Sequence, residues 1–401
     1  MLELEEAQRR ILEAVRFLPA ESVLLSAADG RVLAEKIISQ IDLPGFDNSA
    51  VDGYAVQAID LISANRATPV SLRLTGKIPA GKSFSGKIEP GQCVRIFTGS
   101  PLPGGADAVA MQEDTQPDSK NADQILFLDS VKSWENIRFR GEDVKDGSTL
   151  AEVGTRLGVG HLSLLGAVGV ESVRVARQPI IGLLATGSEL REAGQQIGPS
   201  EIFESNRVGL ATLAQRVGAV PKIFPLIPDT LAATKAGLEK AFAECDAVVT
   251  TGGVSVGELD FVKAAFENLG GKLGFWKVSI KPGKPFVFGQ LGEKPLFGLP
   301  GNPVSALVTF ILLVAPALAQ MQGAKTFSWP NYPGVLTEPL ENRGDRRHFM
   351  RVSVDEKGRV SSAGTQASHI LSSFAKANGL VEVPPHTALA LGASVSVLGL
   401  D

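Results

Sequence analysis

Ala247-Val248-Val249-Thr250-Thr251-Gly252-Gly253-Val254-Ser255-Val256-Gly257-Glu258-Leu259-Asp260 joins a short apolar run to the amphipathic stretch Phe261 to Leu269. A run with no polar alternation reads as a strand buried on both faces. A glycine cluster between such a strand and a helix leaves backbone N–H groups free to meet an anion. One or two glycines would suit an ordinary βα turn. Three glycines, Ser255, two threonines and then Glu258 and Asp260 favour a functional loop over that turn.

The same texture extends outward over residues 178–326. Apolar strands at Ile180 to Ala185, Lys222 to Leu226, Ala247 to Val249, Phe286 to Phe288 and Leu296 to Gly298 alternate with helical runs at Asn206 to Val217, Leu231 to Phe242, Asp260 to Leu269 and Val304 to Gln320. This alternation predicts a three-layer α/β domain with a mostly parallel sheet. Ligands of such sheets bind beyond the carboxyl ends of the strands. Three polar loops fall there: Thr186-Gly187-Ser188-Glu189, the 250–260 stretch, and Leu299-Pro300-Gly301-Asn302-Pro303, where Asn302 suits a helix N-cap and Pro303 the first helical position. Val304 to Leu318 falls short of the roughly 20 residues needed to cross a bilayer and is interrupted by Pro316, so it reads as a buried core helix.

On either side the chain changes character. Residues 3–18 set Leu4, Ala7, Ile11, Ala14, Val15 and Leu18 on one helical stripe, which needs a partner on this chain or on another subunit. Short β runs between Pro/Gly turns mark an inserted all-β module over 45–140, entered through a polar segment at 43–55. The mixed texture of 1–44 returns at 141–177, which predicts a discontinuous N-terminal domain around that insert. Residues 327–401 read as a small, barrel-like C-terminal β domain.

Composition narrows the function. With 401 residues, 44% of them hydrophobic, the chain exceeds one ordinary core, and a net charge of −4 gives no general attraction for nucleic acid or an anionic membrane. An anion must therefore be held locally. Only two cysteines are present, Cys93 and Cys245, far apart and in apolar settings, which fits a reducing cytoplasm, and the acidic N-terminus lacks the pattern of a secretion signal. The four histidines lack zinc-ligand spacing, and neither the nucleotide-binding Gly-x-x-x-x-Gly-Lys-Ser/Thr loop nor the Gly-x-Gly-x-x-Gly fingerprint occurs.

The anion-holding chemistry is nonetheless present. Lys277, Lys281 and Lys284 cluster in Trp276 to Pro285, and on a continuous strand Lys277, Ser279 and Lys281 would share one face. At about 4 Å and an effective dielectric near 20, each lysine–phosphate pair is worth roughly 4 kcal/mol before desolvation. Glu189, Asp229 and Asp260 stand nearest the strand ends in sequence, a carboxylate set suited to Mg²⁺ beside a phosphate; helix N-terminal acids are the alternative explanation, strongest for Glu258 and Asp260.

Taken together, Phe46-Asp47-Asn48-Ser49-Ala50-Val51-Asp52-Gly53-Tyr54-Ala55, Phe97-Thr98-Gly99, Gly141-Glu142-Asp143, Thr186-Gly187-Ser188-Glu189-Leu190, Thr251 to Gly257, Lys281-Pro282-Gly283-Lys284-Pro285 and Leu299 to Pro303 closely resemble the molybdopterin molybdotransferase (molybdenum insertase) family, which includes the gephyrin E domain. The resemblance spans nearly the whole chain. It implies a transferase that inserts molybdenum from molybdate into adenylylated molybdopterin, cleaving the phosphoanhydride and releasing AMP and molybdenum cofactor with a divalent metal.

On matching positions the resemblance implies that Glu189, Asp229 and Asp260 hold Mg²⁺ and the attacking water, and that Lys277 and Lys281 stabilise developing charge. Thr186, Gly187, Ser188, Gly252, Gly253, Ser255, Gly257, Lys284, Pro300, Gly301, Asn302, Pro303 and Ser305 would then bind substrate. It further implies a homodimer in which Asp52, Thr98, Asp143, Arg351 and Ser372 line the cleft from the second subunit, with the adenylyltransferase and molybdoenzyme-maturation proteins as further partners. Thr230 stands where relatives carry a second acid beside Asp229, and Ala367 replaces a frequent glycine before Ser368-His369. An adenylyltransferase and a non-catalytic pterin-binding scaffold are the alternative functions.

Overall fold

A computed structural model describes residues 1–79, 81–253 and 261–400. Ser255, Gly257 and Asp260, expected in the site, lie outside the described residues. The chain divides into two compact units, one formed by Met1–Glu35, Val153–Gly158 and Ser172–Asp401, the other by Lys36–Glu152 and Val159–Glu171.

The first unit is built on a six-stranded sheet ordered Val220–Ile223, Ile180–Ala185, Ala247–Thr251, Lys294–Leu299, Val287–Leu291, Lys272–Trp276. The first four strands run parallel; Val287–Leu291 adds antiparallel to Lys294–Leu299, and Lys272–Trp276 antiparallel to that. Side-chain alternation explains the unbroken apolar runs. Ile181, Leu183, Val249, Phe297 and Leu299 enter one core with the Asn206–Arg216 and Pro303–Thr309 helices, while Leu184, Val248 and Leu296 enter a second core with helices Leu231–Glu244 and Phe261–Asn268. The sheet is thus the middle of three layers. The edge strand Lys272–Trp276 escaped sequence reading because it is only half buried and carries Gly274 at its centre.

Leu4, Ala7 and Ile11 of the N-terminal helix, Leu4–Ala14, and Val15 just after it lie in the first of these cores, so the stripe is covered by its own unit. Pro303–Met321 is long and apolar enough to cross a membrane, its most apolar 18 residues having a mean hydropathy of 2.1, yet 89% of that stretch is buried inside the protein. It is a core helix.

Residues beyond Trp329 close into a five-stranded barrel. Asn331–Leu336 pairs with Arg359–Ser362 and Ser394–Gly399, Gly379–Val383 pairs with Ser394–Gly399 and Arg347–Val354, and Arg347–Val354 returns to Arg359–Ser362. Leu336, Met350, Val352, Val360, Val381 and Val397 fill it. Ile280–Lys281 adds parallel to Arg347–His348 at the barrel's edge. This corrects the expected lysine strand. The backbone turns left-handed at Lys277, φ 83°, so Lys277 leaves the Lys272–Trp276 strand and Lys281 joins a different sheet, with Ser279 buried and Lys281 exposed. The three side chains therefore do not share one strand face.

The second unit holds a six-stranded sheet ordered Ala108–Met111, Gly53–Val56, Gln92–Ile96, Val70–Ile78, Gln124–Phe127, Thr115–Pro117. Gly53–Val56 comes from the end of the polar segment read as a loop. A Cβ on Gly53 would lie 1.9 Å from the Ala110 carbonyl oxygen, so only glycine admits this strand between its neighbours. Residues 20–24 pair with 172–176 inside the first unit, which separates both segments from 36–152.

Candidate active site

The carboxyl ends of three parallel strands open on a cleft in the first unit. A compartment of about 660 Å³ is lined by Thr186, Glu189, Leu190, Ile202, Phe203, Glu204, Asn206, Gly252, Gly253, Gly301 and Pro303. A second, of about 560 Å³, is lined by Lys281, Lys284, Ser305, Arg346, Gln366, Ala367 and Ser368. Pro285, Pro300, Asn302 and His369 line both, so the two are continuous.

The first compartment is held open by close backbone packing. Gly252 and Gly253 have φ of 82° and 63°, and a Cβ on them would lie 2.6 Å from the Thr186 carbonyl oxygen and 2.8 Å from Thr186 Oγ1. Only glycine brings these two loops so near. Thr186 Oγ1 is buried and has no hydrogen-bond partner among the described residues. At Gly187, φ 156°, a Cβ would meet Glu189 Oε2 at 2.7 Å, so this glycine lets the Glu189 side chain fold back over the turn.

Asn206 ties the loops together. Its Nδ2 donates to Thr251 Oγ1 at 2.7 Å and to the Gly301 carbonyl at 2.8 Å, while Thr251 Oγ1 donates to the Pro300 carbonyl at 3.1 Å. Glu204 is spent on its neighbours: its carboxylate accepts from Asn206 N, Arg207 N and Arg207 Nε. Arg207 in turn reaches Glu192 at 2.8 Å, next to the Leu190–Arg191 strand that pairs with Ile202–Phe203.

Asp229 acts on the loop next to it. Its Oδ2 accepts from Ser188 N at 2.9 Å, and Ser188 Oγ accepts from Asp229 N at 3.1 Å. Gly187, Ser188, Asp229 and Lys277 line neither compartment, whereas Thr186, Glu189, Gly252, Gly253, Lys281, Lys284, Pro300, Gly301, Asn302, Pro303 and Ser305 do. Among the described residues, no group of three His, Cys, Asp or Glu side chains is placed to hold a metal ion.

The cationic compartment is assembled from two domains of one unit. Arg346 Nη1 donates to the Ile280 carbonyl at 2.9 Å, which fixes the Lys281 segment against the barrel. Asn302 Nδ2 donates to Ser368 Oγ at 3.1 Å, and Val304 N to the Ser368 carbonyl at 3.2 Å. Arg351, expected on a cleft surface, is fully buried. Its guanidinium holds Ser373 Oγ and the carbonyls of Thr365 and Ala367, and burial pushes its pKa down to about 10. It therefore shapes the 365–368 loop from behind, a role set by the barrel wall on which it sits. Ser372 is exposed on the short helix Leu371–Ala375.

In the second unit, Asp52 Oδ1 accepts from both Thr98 N and Thr98 Oγ1 at 2.8 Å, and these bonds hold its carboxyl below the ordinary range. Asp143 is exposed, its backbone N–H paired with the Leu43 carbonyl.

Sequence reasoning missed Asn206, Glu204, Arg346, Gln366, Ser368 and His369. Asn206 stood at the start of a predicted helix, where a cap was a sufficient explanation. The Arg346-Arg347-His348 run offered a signal in its charge, but nothing local to say that it met Lys281.

Residues 2–169 match the family described as MoeA N-terminal region (domain I and II), residues 182–320 the probable molybdopterin binding domain, and residues 333–400 the MoeA C-terminal region (domain IV). A Haemophilus influenzae protein named molybdopterin molybdenumtransferase is 41% identical over 388 residues, covering 94% of this chain and 93% of that protein. A Bacillus subtilis protein of the same name is 35% identical, covering 96% and 90%. The crystal structure of the molybdopterin biosynthesis moeA protein from Pyrococcus horikoshii OT3 superposes with a TM-score of 0.86 at 32% identity over 99% of both chains.

Proposed function

This chain belongs to the MoeA family, and from that premise we propose that it is a molybdopterin molybdotransferase: it inserts molybdenum from molybdate into adenylylated molybdopterin, with cleavage of the phosphoanhydride and release of AMP. The observation that carries the reading is the join between a glycine-walled compartment bearing Glu189 and one bearing Lys281, Lys284 and Arg346. The second is a local concentration of positive charge on an acidic chain, which suits an oxyanion such as molybdate and the substrate's phosphates. The first suits the substrate's rings, with Ile202, Phe203 and Leu190 as its apolar wall.

Mg²⁺ is commonly bound by one or two carboxylates together with substrate phosphates and waters, and Glu189 in the cleft fits that donor set. Glu189 would hold the ion with Asp260 as the second candidate; when bound it would supply Lewis-acid polarisation of a phosphoryl oxygen. Asp229 keeps the Ser188 turn in place, and Lys281, Lys284 and Arg346 offset the negative charge of the bound oxyanions.

A homodimer completes the reading, with Asp52, Thr98, Asp143 and Ser372 of a second copy at the cleft and Arg351 acting through its own loop. The adenylyltransferase would supply the substrate, and molybdoenzyme-maturation proteins would take the product. A reducing cytoplasm suits two buried, free cysteines. The test is AMP release from adenylylated molybdopterin by the purified protein with Mg²⁺, with and without molybdate, and with tungstate in parallel. Release that needs the oxyanion supports the reading; release without it, or consumption of ATP by molybdopterin, would assign the chain to another reaction.

A further inference from the structure

The amide of Asn206 has a fixed orientation. The Gly301 carbonyl can only accept a hydrogen bond, and the Thr251 hydroxyl has donated its proton to the Pro300 carbonyl, so both groups near Asn206 require a donor. Nδ2 meets both, and the flipped amide would set Oδ1 against two acceptors. Oδ1 is therefore the atom left over. It makes no hydrogen bond among the described residues, yet it is not sealed off, because Asn206 lines the ring-sized compartment although the residue as a whole is only 8% exposed.

The surroundings of Oδ1 sharpen its meaning. The carboxylate this compartment can offer a ligand is that of Glu189, since the Glu204 side chain is buried and paired with Arg207, while Lys281, Lys284 and Arg346 all line the other. Acceptors at one end and cations at the other sort a ligand by its chemistry: N–H donors to the first, oxyanions to the second. We propose that Asn206 Oδ1 accepts a hydrogen bond from an exocyclic amino group of the bound heterocycle and so selects an amino-bearing ring over its oxo counterpart. Resting on the function proposed above, this assignment names a specificity-determining residue of the same site. The adenine and the pterin of the substrate both carry such an amino group, and the test separates them.

Binding to the full-length protein is measured without molybdate for two pairs, AMP against IMP and pterin against lumazine. Each pair exchanges an amino group for a carbonyl, which would face Oδ1 acceptor to acceptor. The wild-type protein is expected to prefer the amino member of one pair by at least about tenfold, because a site built for an N–H rejects an analogue without it. Asn206→Ala should bring that ratio close to one. Thr251→Val removes the same tie between loops but leaves Oδ1 directed by Gly301, and should keep the preference. No preference in either pair, a preference retained by Asn206→Ala, or equal loss in Thr251→Val would each overturn the proposal. Because no turnover is read, an amino preference without molybdate-dependent AMP release would sink the proposed function alone, and the converse result would sink only this inference.

Discussion

Gln8 Nε2 donates to the carbonyl of Leu312 at 2.9 Å, linking the N-terminal helix to the core helix 304 residues away. Pro316 explains why a side chain is needed there. Proline has no N–H to return to the carbonyl four residues back, and the helix responds with a π turn over Phe310–Val314 in which Ala315 N reaches the Phe310 carbonyl. Gln290 repeats the device at the Ala14 carbonyl, at 2.9 Å. Gln8→Leu keeps much of the volume and removes the donor, so it should lower stability by about 1–2 kcal/mol, read as a lower urea midpoint with unchanged slope. An unchanged midpoint would show that the Leu312 carbonyl does not depend on Gln8.

Gly252→Ala tests the close approach of the two loops. The new Cβ would stand 2.6 Å from the Thr186 carbonyl at a φ of 82° that L residues rarely adopt. The backbone conformation alone costs roughly 1–2 kcal/mol, and relief of the clash must push the 186 loop aside. The expected result is a small loss of thermal stability with a much larger loss of AMP release. Equal losses in both, or full activity, would remove this contact from the site.

What could be read in the sequence follows from the range of the interactions concerned. The Ile180–Ala185 and Ala247–Thr251 strands announced themselves because burial on both faces needs continuous apolar residues, and the Pro303–Met321 helix because its burial is nearly complete. The break at Lys277 did not, since a positive φ at a lysine leaves no local trace and is sustained by contacts such as Leu2 N with the Lys277 carbonyl at 3.2 Å. Glu189 and the glycine loops were legible by position at the strand ends. Arg346 and Asn206 were not, because each acquires its role from partners 66 and 95 residues away.

His348 makes the barrel sensitive to acid. The ring is buried with both nitrogens unpartnered among the described residues, and burial, reinforced by the positive charges of Lys281, Arg351 and Arg346, lowers its pKa from 6.5 to about 4. Between those values the unfolded chain binds the proton and the folded chain does not, so stability falls as pH drops through that window. The full shift corresponds to roughly 3 kcal/mol. His348→Leu should flatten the decline in chemical-denaturation stability between pH 6.5 and 4. A variant as acid-sensitive as the parent would place the effect elsewhere.

Asp52 titrates the opposite way. Two hydrogen bonds from Thr98 favour its ionised form, so the stability they bring is present above the unfolded pKa and is lost as pH falls through the lower folded value. Thr98→Val deletes the hydroxyl bond and keeps the backbone one. The Asp52 carboxyl resonance should then titrate at higher pH than in the parent, while remaining below an unperturbed aspartate. No displacement in the NMR titration would mean that the backbone N–H alone sets it.

Arg346 separates oxyanion binding from ring binding. It shares the cationic compartment with Lys281 and Lys284 and is absent from the lining of the other, so its removal should act on molybdate more than on the heterocycle. A charge pair of a few kcal/mol is largely offset by desolvation, and a net loss near 1.4 kcal/mol is tenfold in affinity. Arg346→Ala is therefore expected to raise the molybdate concentration for half-maximal AMP release by about tenfold, with little change in the half-saturating concentration of adenylylated molybdopterin. Arg346→Lys keeps the charge but loses the planar guanidinium that donates to the Ile280 carbonyl, and should recover only part of the loss. If the alanine variant instead weakened both ligands equally, Arg346 would be holding the Lys281 segment in place and not meeting the oxyanion.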